Sequence, residues 1–422
     1  MKFKRTKLDN GVCIITVPMK DTQTATVVVM VGVGSRYESE KEAGISHFIE
    51  HMMFKGTEKR PSFADINSEL DSIGGEHNAF TSKDTTGYYA KVNSRHLDLA
   101  IDLIADIYLN SKIDEKEIEK ERGAIIQELN MYEDRPMRKV EEVLDALLYQ
   151  GNPLGREIIG YKETIQALKR DDLVKFKRRH YLADETVICV AGNFEEESTI
   201  DLLKKYFSAM EGGEKPVFSK IEEDQKYPAV NIKFKKTDQT HFVIGSRGYH
   251  ENHPDRFALA ILTTILGGNS SSRLFAEIRE KRGLAYFVRT GADDFADCGY
   301  VATQASVGHD KLESAIEVIL KEYKRITSEK VSERELRCAK EYIKGISVMN
   351  LESSDEVAMF HIDQEMKRKK IMTLKELLEN FEKVTRDDIL RVAQDVLKEN
   401  TLNLAVIGPQ EDEKKLQSLL KI

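Results

Sequence analysis

The sequence has 422 residues, 41% hydrophobic and 32% charged, with only 8 prolines and 25 glycines. At about 150 residues per domain this length gives two or three domains, and the composition excludes a disordered, collagen-like or mucin-like chain. The 64 basic and 72 acidic residues leave a net charge of −8, which argues against a dedicated nucleic-acid binder.

The chain opens on Met1-Lys2-Phe3-Lys4-Arg5 and continues polar and strand-like, without the apolar core or small-residue cleavage site of a signal peptide. Asn10-Gly11 between apolar runs predicts a hairpin. The valine-rich stretch 25–33 is the longest apolar run. It is about half the length of a membrane span and predicts a buried strand. No membrane insertion is therefore expected, and the expected location is the cytoplasm. Helical spacing marks 45–54, 97–109, 115–131 and 173–181. No clean βαβ series emerges, so the expected class is α+β with mixed sheets packed with helices. Cys13, Cys189, Cys298 and Cys338 lie far apart with no CxxC spacing, and are expected to be reduced thiols, buried or half-buried.

The sequence also repeats itself. Arg170-Asp171-Asp172-Leu173 recurs as Arg386-Asp387-Asp388-Ile389, an offset of 216. The same offset carries Val190 and Gly192 onto Val406 and Gly408. Two matches at one ungapped offset predict a duplicated fold. Glu211-Gly212-Gly213-Glu214-Lys215-Pro216 and the charged run after it read as a linker. The expected division is a domain over 1–210, a linker over 211–228 and a second domain of similar fold over 229–422.

The most informative pentapeptide is His47-Phe48-Ile49-Glu50-His51. On a helix, positions i and i+4 share a face, so both imidazoles can reach one ion. Glu50 falls beside that ion, where a carboxylate can take a proton from water. The order HxxEH inverts the better-known HExxH. A random chain with 10 histidines and 72 acidic residues in 422 positions would show it about 0.04 times. A catalytic zinc takes three protein ligands and leaves one position open. Glu121 and Glu128, seven apart, share a face of the helix predicted over 115–131, which is rich in other glutamates as well. Residue chemistry alone does not single one of them out.

HFIEH, followed after 76 residues by the glutamate that closes Glu121-x6-Glu128, resembles the inverted-zincin metallopeptidases. That family includes pitrilysin, insulin-degrading enzyme and the mitochondrial processing peptidase. The resemblance covers nearly the whole chain. Residues 44–57 are similar to the zinc-helix region of the processing-peptidase branch. Gly74-Gly75-Glu76-His77-Asn78-Ala79-Phe80-Thr81 is similar to the strand that pairs with extended substrate. The resemblance implies one zinc per chain, held by His47, His51 and Glu128, with Glu50 as general base and Glu121 as a supporting carboxylate. It implies that Asn78 and Ala79 hold substrate backbone by strand addition. His77 is the rival metal ligand, from its closeness to that strand.

The second half lacks this chemistry. Its counterpart of the zinc helix, from Phe257 to Leu266, has no histidine or carboxylate, and offsets of 216 to 218 place Lys344, Gly345 or Ile346 opposite Glu128. Arg279 and Tyr286, seven apart, match the family's second-domain substrate segment, where they would support the substrate and its developing oxyanion. The glycine-serine stretch 267–272 lacks P-loop spacing. The expected function is a zinc-dependent endopeptidase acting on peptides or unfolded segments, and by resemblance a homodimer. The alternative is a non-catalytic scaffold or assembly subunit of the same fold, for which an intact His47/Glu50/His51/Glu128 set would be unnecessary.

Overall fold

The computed structural model describes residues 2–422. The strands in chain order are β1 (Lys4–Lys7), β2 (Cys13–Pro18), β3 (Thr24–Val31), β4 (Glu76–Thr81), β5 (Thr86–Asn93) and β6 (Thr186–Gly192). They are followed by β7 (Ala229–Phe234), β8 (Thr240–Arg247), β9 (Ala285–Asp294), β10 (Gly299–Val307) and β11 (Asn403–Gly408). The helices begin with α1 (Ile45–Met53), α2 (Phe63–Asp71), α3 (Leu97–Asn110), α4 (Glu115–Glu133) and α5 (Pro136–Leu148). Next come α6 (Lys162–Ala167), α7 (Arg170–His180), α8 (Glu196–Phe207), α9 (Arg256–Thr263) and α10 (Leu312–Ser328). The last are α11 (Glu333–Asn350), α12 (Ser354–Arg368), α13 (Leu374–Lys383), α14 (Arg386–Val396) and α15 (Glu413–Leu419).

The chain forms two compact units, each assembled from three stretches. One comprises Met1–Asn130, Arg156–Ser219 and Ser347–Leu374; the other comprises Met131–Gly155, Lys220–Ile346 and Lys375–Ile422. The contiguous division at 1–210, 211–228 and 229–422 differs from these units in two helical segments. Helix α5, from the N-terminal half, belongs to the second unit, and α12, from the C-terminal half, belongs to the first. Residues 211–226 carry no helix or strand.

The first unit holds a six-stranded sheet in the order β1-β2-β6-β3-β5-β4. Only β2 and β6 run parallel; the other pairs are antiparallel. Strand β3 is apolar on both faces because both are covered, by α3 on one side and α12 on the other. Val357, Ala358 and Ile362 of α12 pack with Ile15, Val28, Met30 and Cys189. Ser354, the first residue of α12, is hydrogen-bonded to Thr24 and Thr26 hydroxyls at 2.9 and 2.8 Å. The predicted hairpin joins β1 to β2, where Leu8 N–H donates to the Val12 carbonyl at 2.9 Å. Gly11 there has φ +103°, and a Cβ would meet Asp184 Oδ1 at 2.0 Å, so glycine is required on both counts.

The second unit holds a five-stranded sheet, β7-β11-β8-β10-β9, again with one parallel pair, β7 with β11. Helix α5 covers β8 and β11, burying Val140, Leu144 and Leu148 against Val243, Ala405 and Ile407. The duplication is visible in where elements begin. Helices α3 and α10 start at Leu97 and Leu312, 215 apart; α4 and α11 at Glu115 and Glu333, 218 apart. Helices α5 and α12 start at Pro136 and Ser354, 218 apart; α7 and α14 at Arg170 and Arg386, 216 apart. The chain is α+β, as the irregular alternation of patterns implied. One expectation is corrected: Cys13, Cys189 and Cys298 are buried, but Cys338 is exposed, because its position on α11 faces away from the buried Leu336 and Ala339.

Candidate metal centre

Helix α1 presents two faces because its sequence has two. Ile45, Phe48, Ile49, Met52 and Met53 are buried, at the i, i+3, i+4 spacing of a core-facing stripe. His47, Glu50 and His51 fall on the other side. Gly44 precedes the helix with φ +93°, and a Cβ there would lie 2.5 Å from the Ile159 carbonyl oxygen. The N-terminal amides of α1 are satisfied by buried Glu38, whose two carboxylate oxygens accept from Gly44 N–H and Ser46 N–H at 2.8 Å each. Burial pushes the Glu38 carboxyl up to about 8, against the pull of those two amides and of Arg156.

Helix α4 supplies the facing carboxylates. Glu128 Oε2 lies 3.6 Å from His47 Nε2 and 3.4 Å from His51 Nε2. One donor atom from each of His47, His51 and Glu128 lies within 4.8 Å of the others, and the described residues contain one such group. Two donors each about 2.1 Å from one tetrahedral zinc stand about 3.4 Å apart, so the spacing fits a single ion. Glu121, one face-length away on α4, meets the far ring nitrogen of His51: Oε2 lies 3.1 Å from Nδ1. Its Oε1 is 2.6 Å from Lys55 Nζ. In this geometry a carboxylate can fix the tautomer and orientation of an imidazole.

The electrostatics agree. Burial opposes a charge on His51, but hydrogen bonds to Glu121 and Glu128, with the Glu50 charge, outweigh it and push its pKa up to about 9. Burial raises the Glu121 carboxyl, but bonding to His51 and Lys55 brings it below the ordinary carboxylate value. A site whose carboxylates draw a proton onto His51 favours a divalent cation for the same reason. Glu50 stands apart from the donor group. Burial raises its carboxyl above the ordinary value, and the charge of Glu128 adds to this, while Thr81 and His51 work the other way. Its Oε2 accepts a hydrogen bond from Thr81 Oγ1 at 2.6 Å.

Asn78 and Ala79 lie on β4, at the edge of its sheet, paired with Tyr89 and Tyr88 of β5. Ala79 N–H donates to Asn78 Oδ1 at 2.9 Å. His77, the rival ligand, is outside the donor group; its Nε2 lies 2.7 Å from Asn67 Oδ1 on α2. In the second unit, Arg279 and Tyr286 come together. The guanidinium sits 4.2 Å above the tyrosine ring centroid, donates from Nη1 to the Tyr286 carbonyl at 3.1 Å, and Tyr286 itself is 78% exposed.

Two supporting features escaped sequence reasoning. One is Thr81, an ordinary strand-end threonine by sequence. The other is Arg60, which in Lys59-Arg60-Pro61 reads as an exposed basic turn but is only 1% exposed. It donates to Asp106 at 2.9 Å, Asp102 at 2.6 Å and Glu69 at 2.7 Å, and Thr57 Oγ1 donates to the same Asp106 oxygen at 2.6 Å. This network anchors the segment leaving α1. The run of carboxylates at 102 and 106 on α3, one helical turn apart, was its only sequence signal.

Known proteins carry the same arrangement of domains. The family model described as insulinase (peptidase family M16) matches residues 14–162, and the model described as peptidase M16 inactive domain matches 167–343. A relative from Bacillus subtilis, named as the uncharacterized zinc protease YmxG, is 34% identical over 96% of this chain and 98% of its own. An uncharacterized zinc protease of Streptomyces coelicolor is 34% identical over 97% of this chain and 90% of its own. The crystal structure of a protease from Helicobacter pylori superposes with a TM-score of 0.90 at 24% identity, over 97% of this chain and 99% of that one. A chain of Complex III2 from Candida albicans shares the fold with a TM-score of 0.84 at 20% identity, over 99% of this chain and 100% of that one. With this fold, these relatives and both family models in order, the chain belongs to peptidase family M16.

Proposed function

We propose that the protein is a zinc-dependent endopeptidase that cleaves peptides or extended polypeptide segments. The observation that carries this reading is the convergence of His47, His51 and Glu128 donor atoms within 4.8 Å, with the Glu50 carboxyl on the same helix outside the donor group. His47 and His51 through Nε2, and Glu128 through Oε2, would hold the ion. A bound zinc supplies Lewis acidity, polarising a scissile carbonyl and acidifying water. Glu50 takes a proton from the attacking water and delivers it to the leaving amine. Glu121 holds the His51 ring by Nδ1 so that Nε2 faces the ion. The free edge of β4 at Asn78 and Ala79 pairs with an extended substrate backbone, which suits unfolded segments and excludes folded ones. Arg279 and Tyr286 provide donors for the substrate and its tetrahedral oxygen.

The fold alone does not distinguish an enzyme from a scaffold subunit, since a chain of Complex III2 from Candida albicans shares it at 20% identity. The intact donor set favours the enzyme. A homodimer in the cytoplasm completes the reading; among the described residues no helix is long and apolar enough to cross a membrane. The test is peptide cleavage by wild type and Glu50→Gln, with zinc measured on both. Glu50→Gln should keep one zinc per chain and lose at least about a hundredfold in kcat. A Glu50→Gln variant that binds zinc and cleaves like wild type would falsify the mechanism, and a wild type that binds no metal would return the scaffold.

A further inference from the structure

We infer that Thr81 is a positioning residue: its hydroxyl holds one oxygen of Glu50 and ties the general base to the strand that would pair with substrate. The inference rests on the reading of Glu50 as the base. An ionised carboxylate only accepts hydrogen bonds, so the Thr81 hydroxyl is the donor. The 2.6 Å separation between Thr81 Oγ1 and Glu50 Oε2 falls in the range of short, charge-assisted O–H···O⁻ bonds. With Oε2 held, Oε1 is the oxygen left to exchange protons. Glutamate has three rotatable side-chain bonds, and a base that is not held loses effective concentration at the reacting atom.

Thr81 is itself fixed. It is the last residue of β4, paired with Thr86 across the hairpin. The turn between them is closed by Ser82 N–H to the Thr85 carbonyl at 2.8 Å and by Thr85 N–H to Ser82 Oγ at 2.9 Å. Thr86 Oγ1 in turn donates to the Val33 carbonyl at 2.9 Å. The hydroxyl therefore projects from a rigid hairpin rather than from a loose loop. Strand β4 is also the edge of its sheet, and side chains two apart share a face. His77, Ala79 and Thr81 thus lie on one face, and the strand whose edge would take up a peptide ends in the residue that holds Glu50. A peptide that pairs with β4 would be held by the same rigid strand that, through Thr81, holds the base, so scissile bond and base share one frame. Binding along the strand would then raise kcat as well as lower KM.

The experiment uses the full zinc-loaded chain, with Thr81→Val removing the hydroxyl at nearly constant shape and Thr81→Ser keeping it. Both are measured against a short and a longer fluorogenic peptide, with zinc content and circular dichroism recorded. Thr81→Val should keep its zinc and its fold, hold KM within about twofold and lose about 10- to 100-fold in kcat. It should also lose the kcat advantage of the longer peptide. Thr81→Ser should recover to within about threefold of wild type. The inference is overturned if Thr81→Val turns over normally, or if Thr81→Ser is as slow as Thr81→Val. It is equally overturned if Thr81→Val loses its zinc or its fold, since a hydroxyl that only positions the base is dispensable for both. Glu50→Gln run alongside separates the two claims. If it is inactive while Thr81→Val is fully active, only the positioning role fails; if it is as active as wild type, the reading of Glu50 as base fails first.

Discussion

Glu121 offers the sharpest test of how the site is built, because it touches His51 without belonging to the donor group. In the structure its Oε2 lies 3.1 Å from His51 Nδ1 and its Oε1 is 2.6 Å from Lys55 Nζ. Replacing it with glutamine keeps the shape and leaves an amide oxygen for Nδ1–H, but exchanges a charge-assisted hydrogen bond for a neutral one. Such bonds contribute about 1.5–3 kcal/mol against about 0.5–1.5 for neutral pairs, a difference of about 1–1.5 kcal/mol. At 1.4 kcal/mol per factor of ten, Glu121→Gln should weaken zinc binding about tenfold. Glu121→Ala removes the orienting contact as well and should cost about a hundredfold, the upper end for groups that support a metal ligand.

The assay is competition of the metal-free protein with a chromogenic zinc chelator at pH 7.5, with the fold checked by circular dichroism. Glu119→Ala is the control: it lies two residues away on α4, 67% exposed at the side chain and paired with Arg122 at 3.0 Å, and should change affinity less than about twofold. If both Glu121 variants bind zinc as tightly as wild type, then the His51 contact does not orient a ligand. If Glu119→Ala weakens binding as much as Glu121→Gln, the effect is general helix charge rather than a specific contact.

Further outcomes follow from buried charge elsewhere. Arg60→Met should cost about 3–5 kcal/mol of stability in urea unfolding at pH 7, because it strands Asp106, whose side chain is 8% exposed, without its cation. Adding Asp106→Asn should recover part of the loss, and a single-variant cost below about 1 kcal/mol would contradict the network. Glu335 gives a pH dependence. Burial raises its carboxyl, but Arg273 Nε at 2.6 Å and Ser332 N–H and Oγ at 2.8 Å each bring it down to about 2 from 4.5. The folded state therefore prefers the ionised form. Its contribution is present above about pH 4.5 and is lost as pH falls towards 2. With solvent screening of this partly exposed pair, that contribution is about 1–2 kcal/mol. Denaturant titrations between pH 6 and 3 should show wild type losing more stability than Glu335→Gln; equal slopes would remove the argument.

Much of the site was legible because helical spacing is a strong constraint. His47, Glu50 and His51 had to share a face if 45–54 were helical, and Glu121 and Glu128 had to share one if 115–131 were. That α4 faces α1 was not legible from spacing and came from family resemblance. The offset of 216 anticipated the paired helices and strands. It could not anticipate the exchange of α5 and α12. An amphipathic helix shows that it has a face to bury, not which sheet will bury it: Val140 and Leu144 would read the same against either one. Arg60 and Thr81 were hidden for a similar reason. Each bonds to groups distant in sequence (Asp106 in one case, Glu50 in the other), and no local pattern records such a partner.

The duplication also explains why one copy cannot simply regain the chemistry of the other. Aligned on their buried stripes, Ile45, Phe48, Ile49 and Met52 of α1 with Ala258, Ile261, Leu262 and Ile265 in the second unit, the positions of His47, Glu50 and His51 become Ala260, Thr263 and Thr264. Ala260 is half-buried, and Thr263 and Thr264 are 6% and 9% exposed. Aligned on Glu115 and Glu333, Glu121 becomes Ala339, itself 3% exposed, and Glu128 becomes Ile346. The face that the first helix keeps half-open for polar donors therefore carries no imidazole or carboxylate in the second, and two of its three positions are buried. Placing a carboxylate at Thr263 and an imidazole at Thr264 would bury polar groups at about 1–3 kcal/mol each unless every one found a partner, and would remove the hydroxyls that donate to the Ala260 carbonyl. The metal chemistry is tied to one copy by packing as much as by the identity of its ligands.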